Sequence, residues 1–285
     1  MSLAIIVVNK NDSRFLIDLY KRFMDEGCPE LIIVDGGSSE ISLKNLKKML
    51  PMAKVVRVEE SPGPFESFVE GCKIAKSEYV SCWSADDYPM RGYMWRMKDA
   101  ILQYPFADLF SCNAYVEREG RIYERILLPF DTYISPEYAV KMFKSGFYKQ
   151  LNLIGSVIKK DRVLSAWEYG GKNLSVNFDG MYFFHAMFDK GLINLGKPLV
   201  TFRSYSNGFG ATGKYKYLSD ALKIHADYYR LTPEVYSKAI ASGIWSKKAQ
   251  WRSQIGLFLI RFIPKFLRLI FYRWYFKYDF RIEKL

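Results

Sequence analysis

YVSCWSADDYP, residues 79–89, runs aromatic and β-branched side chains through what reads as a buried strand, then stops on two adjacent carboxylates, Asp86 and Asp87. In α/β proteins ligands sit outside the carboxyl ends of the strands, so two acids at such an exit suit a cation and the phosphates it would hold. The same residues also suit a plain turn, because Asp and Pro both favour turns for backbone reasons.

Working outward, LAIIVV (Leu3 to Val8) and LIIVDGG (Leu31 to Gly37) are continuous apolar runs that end in polar or Gly residues, the pattern of strands buried on both faces. Between them Phe15, Leu16, Leu19, Tyr20 and Phe23 recur at helical spacing, with Ser13 placed as the cap. KVVRV (54–58), a helix through FESFVEGCKIAK (65–76) and the strand of residues 79–84 continue the alternation. This order predicts an α/β fold with a Rossmann-like, mostly parallel sheet flanked by helices. The strand exits Asn9 to Asn11, Asp35 to Ser39 and Ser84 to Asp87 then share one edge and converge on one crevice.

On the C-terminal side, DLFSCNAYVEREGRIYERIL (108–127) reads as a hairpin turning at Glu119-Gly120. SPEYAVKMFKSG (135–146) and FDGMYFFHAMFDKG (178–191) read as helices closed by Gly146 and Gly191. NLGKPLVTFRSYS (194–206) reads as a last strand, followed by the glycine-bearing SNGFGATGK.

With 285 residues, 49% hydrophobic and 17% aromatic, the chain has ample material for a packed core. The formal charge of +12 asks for a polyanionic partner, and much of the excess lies after residue 245, interleaved with Trp, Phe, Leu and Ile. That composition points to an anionic membrane surface and away from nucleic acid. From Gln254 to Tyr278 the run is apolar but interrupted by Arg261, Lys265, Arg268, Arg273 and Lys277, whereas a spanning helix needs roughly 20 predominantly apolar residues. Lys247, Gln250, Gln254, Arg261, Lys265 and Arg268 share one helical stripe and Pro264 breaks it. Residues 241–285 are therefore expected as amphipathic helices lying in the headgroup layer, each basic side chain contributing about 1 kcal/mol on anionic lipid. The competing reading is a helix packed on the domain or in an oligomer. Residues 4–8 are too short an apolar run for a secretory signal, so the expected location is the cytoplasmic face of the plasma membrane. Cys28, Cys72, Cys82 and Cys112 fall in no metal spacing and read as reduced, buried thiols, and His185 reads as packing.

The crevice has no GxGxxG and no GxxxxGK[ST], so neither a dinucleotide-binding nor a P-loop site has its fingerprint. A site made of carboxylates needs a cation before it holds a diphosphate, and Mg²⁺ or Mn²⁺ is the usual one.

In this order the features resemble the family 2 glycosyltransferases, which have the GT-A fold and move a sugar from a nucleotide diphosphate donor. AIIVVNKN lies where that family has its first strand and a terminal Asn, which implicates Asn11 and, two residues before it, Asn9. LIIVDGGSSE resembles the second strand, with Asp35 in the position of an acid that contacts the nucleoside. SPGPFESFVEGCKIAKSEYVSCWSADD is similar to a run in which Gly63, Glu66 and Gly71 fall in register and Asp86 takes the metal-binding position of the DxD motif. Ser84 stands where the motif's first acid would be, which leaves Asp87 as a helper. NFDGMYFFHAMFDKG resembles the helix that starts on the catalytic base, matching Asp179, with Phe178 where a polar residue usually precedes it. RSYSNGFGATG resembles the mobile segment that folds over the donor, and Arg203 is a candidate phosphate contact.

The resemblance implies an inverting transfer within residues 1–240, with a nucleotide-binding half over 1–110, an acceptor half over 111–240 and a glycan or lipid-linked acceptor. The donor it implies is a UDP-sugar first, with GDP- and dTDP-sugars as alternatives, and the setting is cell-surface polysaccharide synthesis. Read without it, Asp179 is also an ordinary helix N-cap and Asp35 to Ser39 also a plain strand-to-helix connection. Two other classes compete. A nucleotidyltransferase would need glycines directly after the first strand, which VVNKNDSRF lacks, and a non-catalytic membrane- or nucleic-acid-binding module would use only the basic tail.

Overall fold

The continuous apolar runs form strands with both faces covered. The computed structural model describes residues 2–58, 63–118, 120–125, 130–139, 154–169 and 178–203. Strands β1 (Leu3–Asn9), β2 (Glu30–Asp35), β3 (Lys54–Arg57) and β4 (Tyr79–Ser84) pair in parallel in the order β3-β2-β1-β4. β6 (Leu109–Arg118) and β10 (Leu192–Arg203) are parallel to each other, and the short β9 (Val157–Lys159) lies antiparallel between β4 and β6. The long strands therefore all point one way. β5 (Tyr88–Pro89) and β8 (Thr132–Ile134) add antiparallel to β10, and β7 (Arg121–Arg125) forms the expected hairpin with β6.

Along β1 the side chains alternate between two cores. Leu3, Ile5 and Val7 pack with α1 (Ser13–Asp25), α2 (Leu43–Met49) and α4 (Tyr93–Gln103). Ala4 and Ile6 pack with α3 (Pro64–Ile74), α5 (Lys160–Tyr169) and α6 (Phe178–Lys190). The result is a three-layer α/β/α arrangement around a mostly parallel sheet, the fold class expected from the alternation of runs.

Two close packings hold the helices to the sheet. A Cβ on Gly71 would lie 2.3 Å from Cγ2 of the fully buried Ile6 and 3.2 Å from Cγ2 of Val34, so α3 rests directly on β1 and β2. Gly71→Ala should cost about 1–3 kcal/mol in urea unfolding, overpacking outweighing the better helix propensity of Ala. A stability equal to or above that of the parent would show that α3 shifts freely. On the other face a buried chain of hydrogen bonds fastens β4. Trp83 Nε1 donates to Ser81 Oγ at 2.9 Å, Ser81 Oγ and Tyr93 OH are 2.9 Å apart, and Tyr93 OH donates to the Gly155 carbonyl at 2.8 Å. Because Tyr93 spends its proton on Gly155, Ser81 must be the donor between them, and each hydroxyl in the chain both gives and receives.

Some expectations change. Ser13 is the first residue of α1 and not its cap, because its N–H is taken by Glu40 Oε1 at 2.7 Å and its Oγ accepts from Asn9; Asp12 holds the N-cap position. Two thiols, Cys28 and Cys82, are only half-buried, while Cys72 and Cys112 are buried. The helix expected from Ser135 has its first turn at 136–139, and its expected end at Gly146 lies outside the described residues.

The direction of α6 matters for the site. It closes on Gly191 (φ 79°), whose N–H donates to the Met187 carbonyl at 3.0 Å, and β10 begins one residue later. Arg162 of α5 binds Asp108, immediately before β6, at 2.6 Å and Asp189, near the end of α6, at 2.5 Å. The C-terminal end of α6 is thus at the amino edge of the parallel strands, and the helix runs back so that its first residues reach the carboxyl edge.

Candidate functional site

The exits of β1 and β2 are locked together by Asp35. This carboxylate is fully buried and accepts from Asn9 Nδ2 (2.8 Å), Ser38 Oγ, Ser38 N (3.1 Å) and Arg57 Nε (2.6 Å). Burial pushes its pKa up, but the donors from Ser38, Asn9 and Arg57 outweigh that and hold it below the ordinary carboxylate range. All four acceptor positions are taken, so Asp35 as placed shapes the loop and has no lone pair left for the nucleoside contact expected of it. The loop it shapes is tight. Asn11 adopts a left-handed backbone (φ 59°) with its N–H on Ser38 Oγ at 2.9 Å, and its side-chain oxygen accepts from Ser39 N at 2.9 Å. Asn9 is buried, its amide nitrogen held by Asp35, Ser38 and Ser13.

At the exit of β4 the two acids separate in role. Asp87 N–H donates to the Ser84 carbonyl at 3.2 Å, so the segment is a turn as well as a strand exit. Asp87 is 5% exposed and its Oδ1 accepts the Arg203 backbone N–H at 3.2 Å; burial, and next the charge of Asp86, push its carboxyl well above the ordinary range. Asp86 is half-buried on the crevice edge. Within reach of its charge is Asp12, a residue the sequence reading missed, whose carboxyl is raised by burial and then by Asp86, against the pull of Arg14. An aspartate one residue before a helix passes for a cap, and only the neighbouring strand reveals it as part of an acidic pair.

Arg203 ends β10 beside this turn, donating from Nη1 to the Asp86 carbonyl (2.8 Å) and from Nε to Glu117 (3.2 Å). Gly63 caps α3 and Glu66 sits in its first turn, with Oε2 buried and no hydrogen-bond partner among the described residues. Asp179 is the second residue of α6, at the helix end that reaches the carboxyl edge; its side chain lies outside the described residues. The glycine-bearing segment after Arg203 and the basic tail also lie outside them.

Among the described residues no three His, Cys, Asp or Glu side chains gather as a ligand set. One half-buried carboxylate at the crevice edge with a second nearby fits a divalent cation that takes its remaining ligands from substrate phosphates, the usual arrangement for Mg²⁺. Asp86, with Asp12 close enough to feel its charge, is the residue available for this.

Residues 4–157 match the family model described as glycosyl transferase family 2. The chain belongs to glycosyl transferase family 2. Among solved structures this family 2 glycosyltransferase is similar to S. aureus TarS 1-349, at 14% identity and a TM-score of 0.63, over 98% of this chain and 88% of that one. The same fragment in complex with UDP-GlcNAc gives 16% identity and a TM-score of 0.63, and in complex with UDP 15% and 0.62, with the same coverage. At these identities the likeness establishes the fold. No curated protein matches the chain. The matched family segment ends within β9, so it contains Asn9, Asn11, Asp35, Gly63, Glu66, Asp86 and Asp87, while Asp179 and Arg203 lie beyond it.

Proposed function

We propose that this family 2 glycosyltransferase moves a sugar from a nucleotide diphosphate donor, a UDP-sugar before a GDP- or dTDP-sugar, to a hydroxyl of a glycan or lipid-linked acceptor, with inversion at the anomeric carbon. The observation that carries the reading is the meeting of Asn9 to Asp12, Gly36 to Ser39 and Asp86 at the exits of adjacent parallel strands, an edge built for a phosphate-bearing ligand. The UDP and UDP-GlcNAc complexes of TarS favour uridine as the base.

In this reading Asp86 would hold Mn²⁺ or Mg²⁺, and such a cation would offset the charge that builds on the leaving group. Asp179 accepts the proton of the acceptor hydroxyl as the bond from that oxygen to the anomeric carbon forms and the bond to the diphosphate breaks. A carboxylate near its reference pKa of about 4 is already ionised at neutral pH, so it needs positioning more than activation, and the first turn of a helix provides that. Residues 241–285 would rest on the anionic cytoplasmic leaflet and bring the crevice to a lipid-linked or cell-surface acceptor. Among the described residues no helix is long and apolar enough to cross a membrane.

The test is turnover of the full chain with UDP-, GDP- and dTDP-sugars and a panel of glycan acceptors in Mn²⁺, with the product's anomeric configuration read by NMR. One donor consumed, with release of its diphosphate and inversion, is the expected result. Retention of configuration, or cleavage between the two phosphates with release of sugar 1-phosphate, would replace it with another chemistry.

A further inference from the structure

The segment between β4 and β10 is fastened on both sides of Asp86. After Asp87 the chain crosses the carboxyl edge of the sheet, because β5 pairs with Val200 and Thr201 of β10 and Met90 N–H donates to the Leu199 carbonyl at 2.8 Å. At the crossing Arg203 makes five separate contacts. Its backbone N–H reaches Asp87 Oδ1 (3.2 Å), Nη1 reaches the Asp86 carbonyl (2.8 Å) and Nε reaches Glu117 Oε2 (3.2 Å). Its guanidinium also lies over the rings of Phe15 at 5.1 Å and Tyr88 at 4.8 Å. Tyr88 OH donates to the same Glu117 oxygen at 3.4 Å. The side chain is only 22% exposed, and its Nε and Nη1 are both turned to partners inside the protein.

We propose that Arg203, Glu117 and the buried Asp87 form a latch that fixes the main chain at Asp86 and aims its carboxylate into the crevice. Arg203 and Glu117 are positioning residues, and Asp87 docks the turn onto β10 instead of holding the cation. Two features carry this. The Asp86 carbonyl and its neighbour's carboxylate are gripped by one residue, which leaves the Asp86 side chain as the free element of the turn. The adjacent acid, Asp87, is 5% exposed and has an oxygen on a backbone N–H. The latch rests on the donor-site reading given above and adds to it which side chains hold and which are held.

Calorimetric titration of the full chain with UDP, in EDTA and in Mn²⁺, separates the possibilities. Arg203→Ala and Glu117→Gln should bind UDP in EDTA within about twofold of the parent yet lose about tenfold of the affinity that Mn²⁺ adds, the usual effect of removing a partner that orients a metal ligand. Arg203→Lys keeps the charge and the ring contacts but not the fork, and should lose part of that gain. Asp87→Asn retains an oxygen for the Arg203 N–H and should keep the gain within about threefold. Equal weakening by Arg203→Ala in EDTA and in Mn²⁺ would make Arg203 a phosphate contact and overturn the latch. So would a loss in Asp87→Asn as complete as that in Asp86→Asn. A parent protein whose UDP affinity is the same in EDTA and Mn²⁺ would instead contradict the donor-site reading itself. If Arg203→Ala does not fold, the Lys and Gln variants carry the test.

Discussion

Asp179→Asn should lower kcat by about 10²–10⁴-fold while leaving donor affinity within about twofold, the signature of a lost general base. The substitution keeps size and a side-chain oxygen, so the first turn of α6 should still form, and a purely structural role in that turn predicts no loss of turnover at all. Donor binding should survive because the proton is taken from the acceptor, and the base has no task until that hydroxyl attacks. Steady-state kinetics with donor and acceptor varied separately, beside a thermal melt, is the check. A kcat within tenfold of the parent with an unchanged melt would leave Asp179 a structural residue of the first turn of α6. Arg162 gives the geometry its support, since its bonds to Asp108 and Asp189 fasten the far end of the helix at the opposite edge of the sheet.

Asp86→Asn should remove the metal-dependent part of diphosphate binding almost entirely, a loss of about 100-fold or more in Mn²⁺ if the carboxylate is the main protein ligand. In EDTA the same variant should bind UDP as well as the parent or better, because a negative charge beside the diphosphate has been removed. That opposite response in the two media distinguishes a lost ligand from a damaged fold, which would weaken both. Relief should also reach Asp12, whose carboxyl is held up in part by Asp86, and its pKa should fall toward the ordinary range in an NMR titration of the metal-free protein.

Much of this architecture was legible in the sequence, for a physical reason. Strands buried on both faces must be apolar throughout, so LAIIVV, LIIV and YVSCW stand out, and their polar exits mark the edge on which Asn11, Asp35 and Asp86 meet. What stayed hidden depends on contacts between distant residues. Helix α4 breaks its own apolar period with Trp95 and Leu102, which are 63% and 65% exposed, and β9 is three residues long, too short to carry a period at all. Asp35 reads as a ligand contact because of its place in the chain, yet Asn9, Ser38 and Arg57 surround it in the fold. Arg203 was visible as a cation at a strand end, but its commitment to Glu117 and the Asp86 carbonyl arises only when β10 lies beside the crossing segment. Asp12, at the N-cap of α1, drew no attention in the sequence because Asp86 comes close enough to raise its carboxyl only in the fold.

The central claim is that the strand of residues 79–84 ends on carboxylates in order to hold a cation and, through it, a nucleotide diphosphate. Crystals of the full chain grown with UDP and Mn²⁺, with data collected at the manganese edge, test it most directly. The account predicts one anomalous peak within about 2.0–2.6 Å of an Asp86 carboxylate oxygen, touching the diphosphate, with Asp87 still turned to the Arg203 N–H. UDP bound at the β1 and β2 exits with no anomalous peak near Asp86, or a peak bound by Asp87 alone, would contradict it.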